Sequence, residues 1–81
     1  MNDNTMIYTN GKSLKNSLRE VLDIVFDALI EKGYNANDQI VGYILSGDPS
    51  YITSHNNARK LIKEIDRDII IEELLKSYLE K

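Results

Sequence analysis

The chain has 81 residues, a net charge of −3, no cysteine and one histidine, His55. Its length excludes a second domain, since domains usually run to about 100–150 residues. The missing cysteines exclude disulfides, thiol nucleophiles and zinc ribbons, and the lone histidine leaves no metal cluster or His-based relay. A core this small rarely supplies more than about 3–5 kcal/mol without staples, so helix packing or oligomerisation has to stabilise it. The acidic balance argues against non-specific nucleic-acid or anionic-lipid binding. Apolar runs are too short for a membrane span and no basic-then-apolar leader opens the chain, which predicts a cytoplasmic protein without membrane contact.

Residues 1–12 are rich in Asn and Thr, without sustained periodicity. They read as a flexible N-terminal arm ahead of a single helical domain over 13–81, with a short edge strand at Thr5 to Thr9 as the alternative. From Ser13 to Lys32, Leu14, Leu18, Val21, Leu22, Val25 and Leu29 recur at helical spacing. Ser13 reads as the N-cap, and Gly33-Tyr34 as a Schellman ending with Tyr34 folding back on Leu29. Ile24, Phe26 and Ile30 widen the stripe beyond what one surface helix needs, pointing to contacts on two sides.

A second helix is expected over Asn37 to Ser46, capped by Asn35 or Asn37, with Asp38 placed well against the helix dipole. Its apolar residues, Ile40, Val41, Tyr43, Ile44 and Leu45, run nearly all round, which predicts burial. Gly42 in its middle suits either a closely approaching backbone or a merely tolerated glycine. Gly47 then ends this helix, Asp48 caps the next turn, and Pro49 takes the first helical position, making a sharp corner. Tyr51 and Ile52 fall in a single helical turn. Thr53 or Ser54 caps a third major helix striped by Ala58, Leu61, Ile62 and Ile65, and Asp66 or Asp68 opens or continues a last helix to about Leu79. The fold expected is all-α: a compact bundle of four to five short helices, homodimeric, because the first and last helices carry more apolar surface than one small core uses.

No active site emerges. Glu72/Glu73 and Asp66/Asp68 are helix neighbours that do not face each other, neither phosphate-loop motif is present, and neither cofactor nor metal is implied. Arg59, Lys60, Lys63 and Arg67 lie along one side of the third helix and, with the tight corner before it, superficially suggest a helix-turn-helix. A small nucleic-acid-binding regulator using that face is thus the alternative reading, although Glu64, Asp66 and Asp68 dilute the charge.

The stretch Glu31-Lys32-Gly33-Tyr34-Asn35, then Asn37, then Gln39 through Ile52 (QIVGYILSGDPSYI), then His55, Ala58 and Arg59, resembles the IreB regulatory phosphoprotein family of Gram-positive bacteria. The likeness continues through Arg67-Asp68 and Glu73 to Leu79. It implies a small, cytoplasmic, helical homodimer without enzymatic activity, acting with a transmembrane PASTA-type Ser/Thr kinase and its cognate phosphatase. It further implies an unidentified downstream protein and negative control of cephalosporin resistance in cell-envelope stress. The arm segment Asp3-Asn4-Thr5-Met6-Ile7-Tyr8 is similar to the family's phosphoacceptor pattern, which makes Thr5 the implied phosphorylation site. An earlier threonine found in some members has no counterpart, because Asn2 and Asn4 occupy that region, and Thr9 is a weaker, unmatched substitute. Gly42, Ser46, Gly47, Asp48, Pro49, Tyr51, His55 and Arg59 carry the family signature, read either as a structural corner or as a docking surface for a partner.

Overall fold

The computed structural model describes residues 10–80, with side chains from residue 17 onward. Helix α1 (Asn10–Glu31) is followed by α2 (Ala36–Ser46), two single 3-10 turns (Pro49–Tyr51 and His55–Asn57), α3 (Ala58–Lys63) and α4 (Arg67–Leu79). No strand occurs among the described residues, so the all-α expectation holds. Residues 1–9, with Thr5, Thr9 and the alternative edge strand, lie outside the described residues.

At 22 residues, α1 is about 33 Å long at 1.5 Å per residue, and the other elements are arranged against it. It starts at Asn10, so Ser13 lies inside the helix instead of capping it, and the expected arm of 1–12 overlaps its first turn. Its end is as the sequence indicates: Gly33 takes φ 86°, the Gly33 amide donates to Ile30 O and the Tyr34 amide to Leu29 O, both at 2.9 Å. These two bonds form the Schellman motif, which needs a left-handed residue that glycine adopts without Cβ strain. The Tyr34 side chain itself remains half exposed.

The core is one continuous cluster. Leu18, Val25, Ala28 and Leu29 of α1 meet Ala36 and Tyr43 of α2, Ile52 of the corner, Ala58 and Ile62 of α3, and Ile70 of α4. Val21, Leu22, Ile40, Ile44 and Ile65 pack at its edge. Fully burying a Leu, Ile or Val side chain contributes roughly 1.5–3 kcal/mol each. The five largest side chains sealed from water, Leu29, Ile52, Ile62, Ile70 and Val25, come from four different segments, so this burial is what joins the elements.

Two expectations are corrected by this packing. Helix α2 is not buried all round: Val41 and Leu45 are 52% and 79% exposed, because only the Ala36–Ile40–Tyr43–Ile44 side faces the core. The third major helix is broken at its start. Asn56 and Asn57 adopt left-handed φ angles of 54° and 63°, which separate the His55–Asn57 turn from a six-residue α3. Neither Thr53 nor Ser54 caps α3. Thr53 Oγ1 instead accepts from the His55 amide at 3.2 Å, and Ser54 stands before the 3-10 turn without a side-chain bond.

Helix α4 opens after Asp66, which occupies the cap position without a side-chain hydrogen bond. It buries only Ile70. Ile71, Leu74, Leu75, Tyr78 and Leu79, spaced at three and four residues, form an apolar stripe from 41% to 87% exposed in the single chain. A shallow groove of about 320 Å³ separates α4 from α1, with Leu18, Leu22 and Leu74 among its lining.

Candidate functional site

The family-like residues converge on the corner between α2 and α3, where short elements leave backbone groups that no helix can satisfy. Every α-helix ends with orphan N–H and C=O groups that must find other partners. Asn35 supplies the first, its Oδ1 accepting from the Asp38 amide at 3.1 Å as the N-cap of α2. Asp38 lies in that first turn, where a carboxylate is favoured by the helix dipole.

At the other end of α2, Gly47 sits at φ 75° and its amide donates to Tyr43 O at 2.7 Å. Ser46 Oγ donates to Gly42 O at 2.7 Å and accepts from the Asp48 amide at 3.0 Å, which carries the chain around the bend. Asp48 Oδ1 accepts from the Ser50 amide at 2.9 Å and from Ser50 Oγ at 2.8 Å, with Pro49 in the first position of the 3-10 turn. These two Ser50 bonds, backbone first, hold the Asp48 carboxyl below its ordinary value, helped by the nearby Arg59 charge and opposed by slight desolvation.

Long side chains then bind the turn to its neighbours. Gln39 Nε2 donates to Tyr51 O at 2.9 Å, Arg59 Nε to Ile52 O at 2.8 Å, and Arg67 Nη1 to Ile44 O at 2.8 Å. His55 Nε2 lies 2.8 Å from Glu31 Oε1, and since a carboxylate only accepts, the imidazole is the donor. Both glycines of the block make room for side chains. A Cβ on Gly42 would stand 2.5 Å from the Tyr51 ring, and one on Gly47 would stand 2.8 Å from the Arg67 guanidinium. The close neighbour at Gly42 is therefore an aromatic ring and not a second backbone.

Of the residues named from the sequence, Gly42, Ser46, Gly47, Asp48, Pro49, Tyr51 and Arg59 are thus brought together, and His55 joins the corner to α1. Gln39, Glu31 and Arg67 complete the network, and sequence reasoning missed those roles. All three stand within the family-like stretches, which was the available signal. Arg67 reads as one more surface cation because its carbonyl partner lies 23 residues away.

The four cations expected along the third helix do not share one face or one helix: Arg59, Lys60 and Lys63 lie on α3, while Arg67 opens α4. Arg59 and Arg67 each hold a backbone carbonyl, while Lys60 and Lys63 remain exposed. Beside them lies an open depression of about 460 Å³ lined by Ser54, Asn57, Arg59, Lys60, Lys63 and Glu64. Among the described residues no group of three or more His, Asp or Glu side chains is arranged to hold a metal ion, and no helix is long and apolar enough to cross a membrane.

A small helical scaffold, with its distinctive polar residues committed to its own backbone, defines the class. Residues 3–80 match the family model described as IreB regulatory phosphoprotein. A UPF0297 protein of Acetivibrio thermocellus is 52% identical over 80 residues, covering 99% of this chain and 89% of that protein. The chain belongs to the IreB family of regulatory phosphoproteins.

Two outcomes test the corner. Gly42→Ala should destabilise the wild-type background, where the Tyr51 ring must move, yet stabilise a Tyr51→Ala background by up to about 1 kcal/mol of helix propensity. Urea melts of the four proteins check this, and the same sign in both backgrounds contradicts the contact. Because folding lowers the Asp48 pKa, its contribution is complete above the ordinary carboxylate value of 3.8 and is lost as pH falls through the lower folded value. Asp48→Asn, which keeps an oxygen acceptor but cannot titrate there, should give a shallower fall of melting temperature with acid; parallel curves would refute the assignment.

Proposed function

We propose that this protein is a non-enzymatic regulator whose state is set by phosphorylation of Thr5 by a transmembrane PASTA-type Ser/Thr kinase and reversed by the cognate phosphatase. The observation that carries this reading is the family match across nearly the whole chain, residues 3–80. Thr5 follows Asp3 and Asn4 and precedes Met6-Ile7-Tyr8, similar to the family's acceptor pattern. Phosphate there adds roughly −1.5 to −2 charge to a segment whose nearest cations are Lys12 and Lys15. A local electrostatic change of that size alters which protein the segment or the body engages. The downstream effect we assign is negative control of cephalosporin resistance during cell-envelope stress, exerted in the cytoplasm on a protein partner.

The working unit in this reading is a homodimer. The α4 stripe Ile71, Leu74, Leu75, Tyr78 and Leu79 supports it, together with the exposed Ile24, Phe26 and Ile30 of α1. An apolar helix face left open in water favours burial against another surface. A second copy supplies that burial in a chain too short to build it alone.

Incubation with a PASTA-type kinase followed by mass spectrometry is expected to place phosphate on Thr5 and to lose it in Thr5→Ala; phosphate confined to residues of the helical body would overturn the mechanism. Light scattering at micromolar concentration is expected to give about twice the 9.3 kDa chain mass. Leu75→Glu should reduce it to one chain mass with helicity retained, whereas a cooperatively melting wild-type monomer would remove the dimer.

A further inference from the structure

We propose that the depression formed by Ser54, Asn57, Arg59, Lys60 and Lys63 is a phosphate-binding site, and that its occupant is the phosphorylated segment around Thr5. The inference rests on the phosphorylation reading above and goes beyond it by naming where the phosphate is received. The stretch 59–67 gathers Arg59, Lys60, Lys63 and Arg67 against only Glu64 and Asp66, in a chain of net charge −3. Among the described residues the ion pairs are His55 with Glu31 and Lys76 with Glu73. Lys60 and Lys63 thus have no carboxylate within 4 Å there.

The local backbone brings neutral donors to the same place. Asn56 and Asn57 are both left-handed, a conformation costing roughly 1–2 kcal/mol for a residue with a Cβ and least for Asn or Asp. Ser54, just before the 3-10 turn, and Asn57, its last residue, line one depression with the three cations. A hydroxyl, an amide N–H group, two ammonium groups and a guanidinium are all donors. A phosphothreonine dianion offers three strong acceptor oxygens to match them.

A phosphopeptide fits this chemistry better than a nucleic acid. Duplex binding draws on several phosphate contacts spread along a basic surface. Here Arg59 Nε and Arg67 Nη1 are engaged by Ile52 O and Ile44 O, and Glu64 stands on the rim. What remains suits a single phosphate group.

The test is fluorescence anisotropy with a labelled peptide of residues 1–12, phosphorylated on Thr5 or unmodified, titrated with the full-length unphosphorylated protein. The phosphopeptide should bind at least about 10-fold tighter than the unmodified peptide, the gain expected from one hydrogen bond to a charged group. Lys60→Ala with Lys63→Ala should remove most of that difference while circular dichroism stays unchanged, and Glu64→Gln should tighten binding. Equal affinity of the two peptides, or phosphopeptide binding indifferent to both lysines, would overturn the site. Random duplex DNA that binds with a steep salt slope and displaces the peptide would assign the face to nucleic acid instead. A synthetic phosphopeptide separates the two readings: kinase failure at Thr5 leaves the peptide result intact, and peptide failure leaves Thr5 as an acceptor.

Discussion

Three backbone carbonyls, those of Ile44, Tyr51 and Ile52, tie the corner to the helices around it. Ile44 lies in the last turn of α2, Tyr51 ends the 3-10 turn and Ile52 follows it, and each accepts from a side chain further along or back in the chain: Arg67, Gln39 and Arg59 respectively. Only the Arg59 bond is part-buried, where an unpaired carbonyl costs about 1–3 kcal/mol; the Arg67 and Gln39 bonds are exposed, where water can replace the side chain and each contributes about 0.5–1.5 kcal/mol at most. A chain that breaks its path into short pieces multiplies such groups, and this one answers with long polar side chains of fixed reach. Among the described residues no buried side-chain nitrogen or oxygen is left without a partner.

That constraint explains why the distinctive block is so dense. Gly42 and Gly47 leave space for Tyr51 and Arg67, Ser46 hands the chain from Gly42 to Asp48, and Asp48 starts the turn that delivers Ile52 to the core. The corner therefore has a sufficient structural reason for its composition. In the function proposed above, regulation falls to what stands outside it: Thr5, the exposed lysines of α3 and the apolar stripe of α4.

Features governed by neighbours along the chain are legible in the residues alone. Gly33 and Gly47 as left-handed helix ends, Asp48 with Pro49 as a turn start, and the Leu18–Val25–Leu29 stripe all follow from local backbone chemistry and helical period. What escapes such reading is non-local or depends on a single angle. Nothing in an Asn-Asn pair at a helix start announces two left-handed residues, since Asn favours caps as readily. Arg59 and Arg67 look like surface charge until their carbonyl partners, 7 and 23 residues away, are in place. The apolar circumference of α2 suggests burial because composition counts residues, while burial depends on which side a neighbour occupies.

The slender attachment of α4 has a consequence for the energy landscape. Among the described residues, one sealed side chain, Ile70, and the Arg67 bond to Ile44 O are what hold this 13-residue helix to a body that shares a much larger core. Native proteins open in cooperative pieces, and the pieces with least burial open at the lowest free energy. Amide protons of α4 should therefore exchange through a partial opening that spares α1 to α3, making this helix a sensitive reporter. Anything that covers its apolar stripe would slow that exchange, so α4 itself would report the binding.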